Sequence, residues 1–132
     1  MSATPDMPAA LAEMERIMDD LHDISRRRDE ARKSDLVRLR RSLADQMGVI
    51  AGAAAQSARL LGDEALAREF RRRFSAVRSA VALHQATWPA VTIDEGGAPY
   101  RESAIAVRQT NEAFLGWMRA TLGIGPTSNE GN

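Results

Sequence analysis

The sequence predicts an all-α protein, an antiparallel up-down-up-down four-helix bundle. Three observations carry this expectation. Apolar residues recur every three or four positions along most of the chain, and no stretch of any length alternates with the period of two that a half-buried strand requires. Helix-breaking or helix-capping residues punctuate the chain near positions 34, 62, 89–99 and 123. Finally, the segment Gln46 to Ala58, QMGVIAGAAAQSA, holds no charge in a chain that is 27% charged. So apolar and slender a helix is expected to run through the middle of the bundle, with the others packed around it.

The elements follow in order. Residues 1–6 are expected to be a disordered N-terminus, with Pro8 suited to a first helical turn. Helix one carries the stripe Met7, Leu11, Met14, Met18, Leu21 and Ile24, with acidic residues early and Arg26–Arg28 at its end, as the helix dipole favours. Ser34 and Asp35 are the expected caps of helix two, although no Gly or Pro forbids one continuous helix there. Helix two continues through Leu36, Leu39, Leu43, Met47, Ile50, Ala54, Ala58 and Leu61 to a stop at Gly62. Asp63 then caps helix three, whose stripe is Leu66, Phe70, Phe74, Val77, Val81, His84 and Trp88. Pro89 ends it, and residues 89–99 (PAVTIDEGGAP) are expected to form the one long loop. Helix four presents Tyr100, Ala104, Val107, Asn111, Phe114, Met118 and Leu122. The bundle therefore spans 7–122, and 123–132 is expected to be a disordered tail.

Composition narrows the function classes. The 132 residues suit one domain with one core. Without cysteine there are no disulfides, thiolate metal sites or cysteine nucleophiles. Eighteen basic residues balance eighteen acidic ones, which argues against nucleic acid as the main partner. The N-terminus lacks a secretory pattern and no window is apolar enough to span a bilayer, so a cytoplasmic protein without a membrane partner is expected. There is no Gly-rich phosphate loop, no Ser/His/Asp spacing and no isolated carboxylate pair, so no catalytic residue, cofactor or metal ligand is assigned.

Two groups of candidate residues stand out. The first is an interior pocket drawn from His22, Met47, Gly48, Gly52, His84 and Asn111. His22 and His84 are the only histidines, and Asn111 is a polar amide on an inward stripe that needs partners. The glycines and alanines of helix two serve instead as a close-packing or dimer seam in the structural reading. The second group is a basic end formed by Arg26, Arg27, Arg28, Arg38, Arg40 and Arg41. From Arg26 to Arg41, eight cations face only Asp29, Glu30 and Asp35, a concentration that can attract phosphate or an acidic partner. In the bland reading these arginines are a solvated helix end.

The segments RLRRSLADQM (38–47), ARLLGDEALAREFRRRF (58–74), HQATWPA (84–90) and YRESAIAVRQTNEAFLGWM (100–118) resemble the bacterial hemerythrin-like (HHE-type) bundle family. The resemblance implies a four-helix scaffold with a di-iron site held by histidines and carboxylates. It also implies that this chain has lost that site: helix two has GVIAGAAAQSA where a His and a Glu would stand, and helix four has no histidine. The expected function is a non-enzymatic interaction or regulatory module whose partner is another protein or a second copy of itself. A small-molecule or metal-binding bundle, and a helical chaperone or adaptor for a partner's amphipathic segment, are the alternatives.

Overall fold

The computed structural model describes residues 6–125 and is all-α, with no strand among those residues. Residues 1–5 and 126–132, within the termini expected to be disordered, lie outside the described residues. Among the described residues there are six helical segments rather than four: α1 (Met7–Ile24), α2 (Arg32–Ala55), α3 (Ala58–Leu61), α4 (Glu64–Thr87), a 3-10 helix (Ala90–Glu95) and α5 (Gly97–Leu122). No helix among them is long and apolar enough to cross a membrane.

Local chemistry explains most of the boundaries. The Asp6 carboxylate accepts from the Ala9 amide, and Asp63 Oδ1 accepts from the Leu66 amide at 3.0 Å, so both act as N-caps. Gly123 turns left-handed at φ 68° and lets the Ile124 amide reach the Arg119 carbonyl at 2.8 Å. Ile124 then packs on the core.

Three boundaries differ from expectation. Helix two starts at Arg32, and Ser34 and Asp35 sit inside its first turns rather than capping it. The cause is Arg32 itself. It is buried, and its guanidinium donates to the carbonyls of Ile24, Arg27 and Ile93, the last at 3.1 Å, and to Asp94 Oδ1 at 3.2 Å. This clasp joins the end of α1, the following turn and the 3-10 helix. Helix two also breaks at Gln56, because the Ser57 hydroxyl caps the Leu60 amide at 3.3 Å and starts a new turn. The restart buries Leu60 and leaves Leu61 71% exposed, the reverse of the expected stripe. The expected loop at 89–99 is mostly helical, since Ile93 is fully buried and anchors the 3-10 turn.

The larger of two core clusters runs across α1, α2, α4 and α5 and includes Leu11, Met14, Ile50, Val77, Leu115 and Met118, while a smaller one gathers Ile24, Leu36, Leu39, Ile93 and Tyr100. Phe70, Phe74 and Phe114 form an aromatic cluster with centroids 5.3–6.1 Å apart. Helix α1 lies against α2 and α5, and α5 lies against α4, whereas the backbones of α2 and α4 stand further apart, with a groove between them. That open side overturns the expectation for the uncharged stretch. Ile50, Ala53 and Ala54 face the core, but Gly48, Val49, Ala51 and Ala55 face outward. The slender helix is a wall of the structure, not its axle.

Candidate functional site

The open side and the interior meet at one residue, Arg40. It projects from α2 and is half-buried, and its Nη2 is fully buried with no hydrogen-bond partner. No carboxylate forms an ion pair with it among the described residues. Burial of part of the side chain lowers its pKa, because it disfavours the charged form.

Arg40 lines a cavity of about 30 Å³ to which α1, α2, α4 and α5 all contribute. Its other polar groups are His22, His84, Gln85, Tyr100 and Arg108. The remaining wall is aliphatic, with Met18, Leu21, Leu36, Leu43, Val81 and Val107 among its residues. By the criterion of about 10–15 Å³ per water, the space holds roughly two water-sized centres. Val81, Gln85 and Arg40 also line the groove of about 510 Å³ between α2 and α4, so the cavity's mouth is on that side.

Tyr100 organises the cavity's end. Its buried ring stacks on His84 at 5.8 Å and 14°, meets Trp88 at 5.9 Å, and lies 5.9 Å from the Arg32 guanidinium carbon. Burial raises its pKa, against the pull of Arg40 and Arg32. His84 Nδ1 and the Ser103 hydroxyl are hydrogen-bonded at 2.6 Å. Burial first, and the Arg40 charge second, push the His84 pKa down to about 4, so the ring is neutral near pH 7. Arg108 is already engaged by Asp19 at 2.9 Å. Arg40 is thus the cavity's unanswered charge, beside a neutral imidazole and an un-ionised phenol.

The sequence candidates divide on this structure. His22 and His84 do share the cavity. Met47 lines the outer groove instead, and Gly48 and Gly52 would have nothing within 4 Å of an added Cβ. Asn111 is 1% exposed, but it does not line the cavity and neither polar atom of its amide finds a partner. The basic end also splits. Arg26, Arg27 and Arg28 border a cleft beyond the end of α1, Arg38 pairs with Asp35, Arg41 is exposed, and Arg40 turns inward. Sequence reasoning missed Arg40 as a pocket residue, together with Gln85 and Tyr100. The signal available was its spacing: Leu36, Arg40 and Leu43 lie on one helical face.

Among the described residues no group of three or more His, Asp or Glu side chains is placed to hold a metal ion. The cavity's charged groups are cationic, which suits an anion rather than a metal. Compared with protein-family models, curated proteins and solved structures, the chain matches none of them significantly.

Proposed function

We propose that this protein is a non-enzymatic regulatory module, an up-down-up-down bundle of its four long helices that binds a short-chain monocarboxylate in its interior. The pairings His84–Ser103, Phe74–Phe114, Gln46–Ala10 and Arg119–Glu15 support that arrangement of the helices. The observation that carries the binding assignment is the buried, partnerless Nη2 of Arg40 at the wall of a largely aliphatic cavity. A guanidinium nitrogen cut off from water is costly unless an acceptor answers it, and a carboxylate matches the planar fork. The aliphatic wall suits a tail of no more than a methyl group, since the space holds roughly two water-sized centres, so formate and acetate are the acids that fit. Because Arg40 also lines the groove between α2 and α4, an occupied cavity changes the charge presented there. A protein partner reading that groove would sense the ligand.

The test is calorimetric titration at pH 7 with formate, acetate, propionate and butyrate. With so few ligand atoms, a Kd on the order of 0.1–1 mM is expected for the best of them. Arg40→Met should weaken that binding by roughly tenfold or more while melting no lower than the wild type, since it removes an unpaired buried charge. Binding that survives in Arg40→Met, or none to any of the four acids, overturns the assignment.

A further inference from the structure

A second site lies outside the interior cavity, at the end of the fold where α1 finishes and α5 begins. Five arginines line a cleft there of about 470 Å³: Arg26, Arg27, Arg28, Arg32 and Arg101. Asp94 is the only acidic residue in its wall. Two of the five are committed to structure. Arg27 is held by Asp29 at 2.6 Å and Asp35 at 2.9 Å, and Arg32 forms the clasp to Ile93 and Asp94. Arg26, Arg28 and Arg101 have no ion-pair partner among the described residues.

We infer that this cleft binds a small molecule carrying two or more linked phosphates. Guanidinium groups suit phosphate oxygens because their planar fork donates two parallel hydrogen bonds. The volume falls in the range of small-molecule sites, about 300–1,000 Å³, and the wall is polar rather than apolar, so a hydrated ionic ligand fits it. A cleft of this size suits a short polyanion, and the balance of charge over the whole chain argues against a long one. Tyr100 is 2% exposed, which leaves no open aromatic platform for a base. The phosphates themselves are therefore what is recognised.

The test uses the full chain and inorganic tripolyphosphate, titrated by calorimetry at low salt, with ATP, sulfate and a 20-base single-stranded DNA as further arms. Tripolyphosphate is expected to bind more tightly than sulfate and to weaken as salt is added. The triple variant Arg26→Ala/Arg28→Ala/Arg101→Ala should lose roughly tenfold or more in affinity at an unchanged melting temperature. Arg40→Met should keep tripolyphosphate binding intact, which separates this site from the interior one. ATP binding on a par with tripolyphosphate supports recognition of the phosphates alone. Equal binding of sulfate, undiminished binding by the triple variant, or tighter binding of the DNA would each overturn the inference.

Discussion

His84 shows what burial does to a single side chain in this fold. Its folded pKa of about 4 lies below the ordinary value of 6.5, so between those values the unfolded chain binds more protons than the folded one. Stability therefore rises with pH through that window. The contribution is complete above pH 6.5 and is lost as the pH falls toward 4, by roughly 2 kcal/mol once solvent screening of a part-buried ring is allowed for. Denaturant unfolding at several pH values should show this slope, and His84→Gln should flatten it. An equal slope in the variant would place the acid sensitivity elsewhere. Asn111 is the complementary case at this scale. Its inward position was legible from the stripe of the last helix, but the lack of any hydrogen bond to its amide was not, because that depends on neighbours brought from other helices.

Among the elements, α2 is the most instructive. Periodicity placed Leu36, Leu39, Leu43 and Ile50 inward correctly. What it did not reveal is that the uncharged half of the helix has only one covered face. Local composition reports how tolerable burial is, while burial itself depends on whether a neighbour arrives, and the backbone of α4 stands across a groove. The breaks around α2 were hidden for related reasons. The clasp of Arg32 on Ile93 and Asp94 joins residues about sixty apart in the chain, beyond the reach of any capping rule. The Ser57 cap was a local signal, outweighed by the apolar spacing on either side of it. The glycines of α2 yield a direct prediction. Nothing lies within 4 Å of a Cβ built at Gly48 or Gly52, so in a monomer each Gly→Ala change should stabilise the protein by about 1 kcal/mol. Denaturant unfolding together with sedimentation checks this. Destabilisation, or dissociation of a dimer, would show that this face is packed against a second copy.

Taken as a whole, the molecule is an all-α protein with a groove between α2 and α4 and a charge set at that groove. The all-α class and the four long helices were legible because stripes of period 3.6 run almost without interruption through the sequence. The site was legible in part. The two histidines stood out by their rarity, but Arg40 was one of seventeen arginines and could be told apart only by where its guanidinium ends. The most direct test of the central claim is an NMR titration of the His84 imidazole with and without saturating acetate. A carboxylate bound at Arg40 adds negative charge beside the ring, so the His84 pKa should start near 4 and rise by about one unit or more with ligand. A ring that titrates near its ordinary value in the free protein, or that ignores acetate altogether, would contradict the account.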